Sequence, residues 1–289
     1  AIVDPSPENT NAIIGKFQEL MKGFVSDRNF VDLLRVMQVA IHLAPPTDET
    51  RQNLLTTLSE EYPSGNDLMN RELVRLLVGL QCEGITERFL EQLKSDKPEV
   101  EKLHLAMHMR FLESGWEPGQ RLQWIDYCEK AIKPSSESNY PLYLKNLLRD
   151  FARTVTEEEG REILSQGVKW PNAALGALYK LPAQLDATAL EDLKKIDKQI
   201  AAKNDDVSKP LRVGIVAVLA RSGDPDSMEY LREIWRRDPD RRATVAMGLA
   251  QQPDGDNWDY LVRSLSLLEG AAATEVLAKL ATVDQAPDE

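Results

Sequence analysis

The sequence predicts an all-α protein. Three observations carry that expectation: almost every segment spaces its apolar residues at the helical period, alternating β-branched strand patterns are nearly missing, and capping residues and breakers bound the apolar segments. The predicted helices run mostly three to four turns and the connections between them are short, which suits antiparallel pairs stacked in a row better than a bundle of long helices. The expected architecture is an α-solenoid.

A first helix is expected over 9–25; Asp27 stands as a cap before the second, 28–43, and Thr47 before the third, 48–61. Apolar periodicity places the next two at 67–81 and 85–95, and Pro98 marks the first turn of a sixth at 98–114. Helices at 118–132 and 140–153 precede Thr156, whose spacing to Glu159 is that of a capping box opening the helix 157–166. Pro171 opens 171–181, and periodicity alone gives 187–202, 208–222 and 226–236. Pro239 opens 239–251, and 257–268 and 270–282 complete the series.

A fixed internal period is the signature of stacked repeats. KPLRVGIVAVLA (209–220) set against DPDRRATVAMGLA (238–250) brings Pro210 onto Pro239, Arg212 onto Arg241 and Ala217 onto Ala246. With one inserted residue, Tyr230 and Leu231 then fall on Tyr260 and Leu261. Each unit reads as Pro-x-Arg, a helix rich in Ala and Gly, a turn, and a Leu-bearing helix. The small residues Ala217, Ala220, Ala246, Gly248 and Ala250 are expected to let helix backbones approach closely, and a lone pair of helices cannot bury both its apolar faces. A single solenoid domain over 1–289 is expected, with a sub-boundary near 133–140 or 203–209.

Composition narrows the function. The 289 residues hold 35 Lys plus Arg against 47 Asp plus Glu, a net charge of −12. No long stretch gathers the positive charge that phosphate neutralisation needs, which argues against nucleic acid as a partner. No apolar run approaches the roughly 20 residues of a membrane span. The N-terminal AIVDPSPENT has neither a basic region nor an apolar signal core, and it reads as the start of a mature or excised piece. Cys82 and Cys128 lack paired spacing and read as buried thiols, uninformative about compartment.

Candidate chemistry is sparse. His104 and His108 stand one turn apart, and with Glu101 they offer a spacing that zinc accepts. Yet the zinc-protease pattern His-Glu-x-x-His has its general base beside the first His, where this chain has Leu105. On a helical wheel Val100, Leu103, Met107 and Phe111 form one apolar arc and Leu105, Met109 and Leu112 a second, with Lys97, Glu101, His104 and His108 between them. That pattern belongs to a helix sandwiched between neighbours, so a structural seam is favoured over a metal site. Asp254, Asp256 and Asp259 cluster in PDGDNWD but lack the glycine and distal glutamate of an EF-hand loop. Arg71, Glu72 and Arg75 in NRELVRLL suggest an Arg–Glu network between repeats. Trp116, Trp124, Trp170, Trp235 and Trp258 fall at helix edges, where an exposed subset on one face would make a partner groove. No Gly-x-Ser-x-Gly, Walker or dinucleotide fingerprint appears. No catalytic, cofactor-binding or metal residue is therefore assigned, no cofactor is expected, and the chain is read as non-enzymatic.

The repeat resembles HEAT-type repeats, through the Asp-Pro start, the arginine and the small-residue ridge of DPDRRATVAMGLA. YPSGNDLMNRELVRLLVGLQ (62–81), KLHLAMHMRFLESGWEPGQRLQWIDYCEKA (102–131) and NYPLYLKNLLRDFARTVTEEE (139–159) look like the helical-repeat region of large exported proteins of planctomycetes and their relatives. In that family HEAT-like repeats lie between a propeller-type, dehydrogenase-like region and a c-type cytochrome bearing Cys-x-x-Cys-His. The resemblance implies a scaffold or protein-binding module of a larger redox-associated polypeptide, periplasmic or otherwise exported, whose partners are proteins or adjoining domains. Cys82 is followed by Glu-Gly-Ile and Cys128 by Glu-Lys-Ala, so the haem-attachment motif is not on this chain.

Overall fold

The computed structural model describes residues 4–132, 140–152, 154–182, 184–203 and 206–284. Among them lie sixteen α-helices, three short 3-10 turns and no strand. The chain divides into two compact units, Ala1–Ala131 and Ile132–Glu289, where the sequence suggests a single domain with a sub-boundary near 133–140 or 203–209. The stretches 133–139 and 204–205 from those two places lie outside the described residues.

The first unit holds α1 (Pro7–Met21), α2 (Asp27–Leu43), α3 (Asp48–Glu61), α4 (Asp67–Gly79), α5 (Thr86–Lys94), α6 (Glu99–Met109) and α7 (Gln120–Ala131). Helix α2 packs on α4 and α4 on α6, while α1 packs on α2 and α3, α3 on α4, and α5 on α6 and α7. Ile14, Leu34, Leu58, Leu73, Leu77, Ile85, Phe89 and Trp124 are fully enclosed between them. Burial of each such side chain contributes about 1.5–3 kcal/mol, which is what holds helices too short to persist alone.

The second unit holds α8 (Tyr140–Ala152), α9 (Glu157–Ser165), α10 (Pro171–Ala177), α11 (Ala187–Lys203), α12 (Lys209–Ser222), α13 (Pro225–Arg237), α14 (Arg242–Leu249), α15 (Asn257–Ser264) and α16 (Gly270–Leu280). Even-numbered helices pack in succession, α8 on α10, α10 on α12, α12 on α14 and α14 on α16; α9, α11, α13 and α15 lean against that row. Small residues set the row's spacing. A Cβ on Gly176 of α10 would lie 2.7 Å from the Cβ of Ala152 in α8, and one on Gly248 of α14 would lie 3.1 Å from Val216 of α12.

The helix starts show what caps decide. Thr156 and Glu159 form the expected reciprocal capping box, and Pro171 takes the first turn of α10. The cap of α2 is Ser26, whose hydroxyl accepts from the Asn29 amide, so Asp27 is instead the first helical residue, where its charge meets the positive end of the helix dipole. Thr47 caps α3 by position only; its hydroxyl donates to Thr50 Oγ1 and accepts from no amide of the helix.

Three sequence expectations need correction. Helix α6 ends at Met109, five residues early, so Phe111, 54% exposed, lies beyond it, and Val100 at its start is 50% exposed; Leu103 of the first arc and Leu105 and Met109 of the second are buried, and the helix packs on α4 and α5. Ala217 does not pack against a neighbouring helix but is exposed. The repeat register also differs: buried positions recur as Ile215 and Val245, Leu219 and Leu249, Ala220 and Ala250, one residue beyond the Pro210–Pro239 match.

Candidate functional site

The sequence points to the α2–α4–α6 layer, and the structure places a polar strip there. Asn66 caps α4 by accepting from the amides of Leu68 and Met69, which fixes the helix start and so the direction of Arg71, Glu72 and Arg75. Glu72 is buried, with a side chain only 5% exposed. Its carboxylate accepts from Arg35 Nε at 3.0 Å and Gln38 Nε2 at 2.8 Å on α2, and from Arg75 Nη1 at 2.7 Å on its own helix. Burial pushes the pKa of this carboxyl up, but the bonds from Gln38, Arg75 and Arg35 outweigh it and hold the group below its ordinary range.

Immediately before Glu72 on α4, Arg71 grips Glu101 of α6 through two nitrogens of its guanidinium, Nε donating to Oε2 at 2.9 Å and Nη2 to Oε1. The network expected of NRELVRLL is therefore present, and Glu101, the third ligand of the metal reading, is occupied by it. His104 and His108 lie beside this pair with ring centroids 4.3 Å apart. His108 Nδ1 donates to the His104 carbonyl at 2.8 Å, which leaves His108 Nε2 as the basic nitrogen. Burial, the neighbouring His108, and Arg75 and Arg71 drive the His104 pKa down to about 4. Burial likewise lowers His108, against the raising effect of its backbone bond. Both imidazoles are neutral at pH 7. His104 Nε2 is enclosed without a hydrogen-bond partner among the described residues. His42, the third histidine, lies in the last turn of α2 and is exposed. Among the described residues no three His, Cys, Asp or Glu side chains gather as a ligand set.

The second unit holds a comparable cluster that sequence reasoning missed. Asp197 of α11 is 2% exposed and receives both Nη atoms of Arg241 at 2.9 and 3.0 Å, Arg212 Nε at 3.3 Å and the Tyr230 hydroxyl at 2.9 Å. Arg241 also donates to the Arg212 carbonyl at 3.2 Å. Both arginines are visible as the repeat's Pro-x-Arg mark; Asp197, in the lysine-rich KKIDK, carries no local signal. The buried anion is neutralised and fully bonded, so the cluster ties helices together and leaves no free charge for chemistry.

The other candidates disperse. Asp259 pairs with Arg263 of α15 at 2.9 Å and Asp256 lies 3.7 Å from Arg232 of α13, so the acidic turn is partly neutralised. None of the five tryptophans is exposed, which overturns an aromatic partner groove. Trp124 is fully buried and donates to the Ala106 carbonyl at 3.2 Å, while Trp235 donates to Ser264 Oγ at 2.8 Å and stacks edge-on against Tyr260. Cys82 and Cys128 are buried free thiols, and burial raises the pKa of both. No described helix is long and apolar enough to cross a membrane.

No family model matches the chain, and neither a curated protein nor a solved structure shows significant similarity to it.

Proposed function

We propose that the chain is a non-catalytic α-solenoid of HEAT-like antiparallel helix pairs that serves as a scaffold or protein-binding module. The observation that carries this is a period in the hydrogen bonds. In the first unit Thr10 bonds the Ala40 carbonyl, Arg51 that of Leu80, Gln81 that of Phe111 and Thr86 that of Gly115, each across 29 or 30 residues. Lys97 to Asp67 and Arg71 to Glu101 span 30. In the second unit Trp235 to Ser264 and Arg241 to the Arg212 carbonyl span 29. That recurrence matches the period of the 209–250 sequence repeat, and it is what stacked units produce when equivalent positions of neighbours touch. Packing of each helix on the next but one supports the same reading.

The charged residues that could have served chemistry are engaged in joining these units, which favours a surface role over an enzymatic one. By resemblance, the partners are proteins or adjoining domains of a larger exported, redox-associated polypeptide, and a net charge of −12 disfavours nucleic acid.

Metal analysis of the purified chain tests this reading against the competing one, a metal-dependent protein built on His104 and His108. The scaffold reading expects substoichiometric zinc and iron, unchanged in His108→Ala; near-stoichiometric metal lost in that variant would overturn it.

A further inference from the structure

We infer that a recess between α10 and α12 in the second unit binds a small amphipathic carboxylate, an apolar chain ending in one acid group. The recess has a volume of about 330 Å³, at the lower end of the range of small-molecule sites, about 300–1,000 Å³. Leu175, Leu178 and Val218 make its floor.

Two small residues of α12 hollow it out. A Cβ on Gly214 would lie 2.6 Å from Leu178 Cδ1, so no larger residue fits there without moving the floor. Ala217, one turn on, faces the same recess, and because it is exposed its smallness serves no helix–helix contact. Gly176 and Gly248 show what small residues do elsewhere in this unit, where each lies against a neighbouring helix. At Ala217 the missing bulk is left open to solvent.

The rim supplies the polarity. Arg221, one turn beyond Ala217, Tyr179 and Gln251 border the recess and are exposed. None of their side-chain polar groups bonds another described residue. That separates this recess from the cavity of similar size lined by Arg161, Asp192 and Lys195, whose charges are already paired with Glu157 and with each other. An unpaired guanidinium beside an apolar floor favours an anion, and its planar fork matches a carboxylate with two parallel bonds. Tyr179 is 73% exposed, so its ring is free to cover an apolar chain lying in the recess. This inference does not rest on the scaffold reading.

Octanoate, titrated calorimetrically into the full chain with octylammonium and octanol as controls, tests it. Saturable one-to-one octanoate binding is expected, at least about tenfold tighter than either control, since a charge-assisted bond carries about that factor. Ala217→Leu, which fills the recess from an exposed position, should abolish binding with an unchanged melting temperature, and Arg221→Gln should weaken it about tenfold. Absence of saturation, equal binding of octylammonium, or octanoate affinity indifferent to Arg221→Gln would overturn the proposal, including in the event that Ala217→Leu fails to fold.

Discussion

The buried carboxylates show how much single residues are asked to do. Asp197 is tolerable in the interior only because Arg241 and Arg212 neutralise it. Arg241→Ala removes the bidentate partner and leaves the acid half compensated, so a loss of about 3 kcal/mol in urea denaturation is expected; a loss under about 1 kcal/mol would show that Arg212 suffices. The histidines set a pH dependence. The folded pKa of His104 is about 4 against an ordinary 6.5, and His108 is lowered too. The unfolded chain therefore binds more protons between those values, and stability, complete above about pH 6.5, declines as pH falls toward 4. The groups facing these rings are Arg71 and Arg75 of α4 and Glu101 of α6, with Arg110 beside His108. Glu72, held below its ordinary range, stays ionised over the upper part of this window. Denaturation midpoints should drop from pH 7 to pH 5, and His104→Phe should flatten that slope.

At the scale of the element, close helix approach is decided by which glycines are crowded. A Cβ on Gly176 would come within 3.1 Å of the Arg149 Cα as well as against Ala152, so Gly176→Leu should force α10 off α8 and cost about 1–3 kcal/mol or more in thermal or urea unfolding. Gly15, in mid-α1, has nothing within 4 Å of its would-be Cβ. Gly15→Ala should therefore stabilise by about 0.5–1 kcal/mol, through helix propensity alone. Opposite signs for one residue type on two helices would be measured in the same denaturation series. Helix existence was legible from periodicity and from caps such as Thr156 with Glu159. Helix ends were less so: α6 stops at Met109 although apolar residues continue through Leu112, because Arg110 and Phe111 turn the chain to bury Leu112 instead of extending the helix.

For the whole molecule, nearest-neighbour packing predicts graded losses. Removing residues 239–289 uncovers Val216 and Ala220, which Gly248 now covers. Hydrogen exchange should then accelerate in α12 and α13 while α1–α7, whose unit has its own core, keep their protection; collapse of protection in α1–α7 would count against stacked units. The sequence by itself determined the all-helical class, most helix positions, the repeat period near 30 residues and the Arg–Glu network on α4, because each is written in local spacing and capping chemistry that acts within a turn or two. The tertiary structure alone decided the rest. It placed Asp197 against arginines 15 and 44 residues away, enclosed or half-buried every tryptophan, tied Glu101 to Arg71, and left Ala217 facing a recess where the repeat pattern predicts a packed helix. Those outcomes depend on which faces of distant helices meet, and a shift of one residue in register turns a helix face by about 100° from where sequence spacing assigns it.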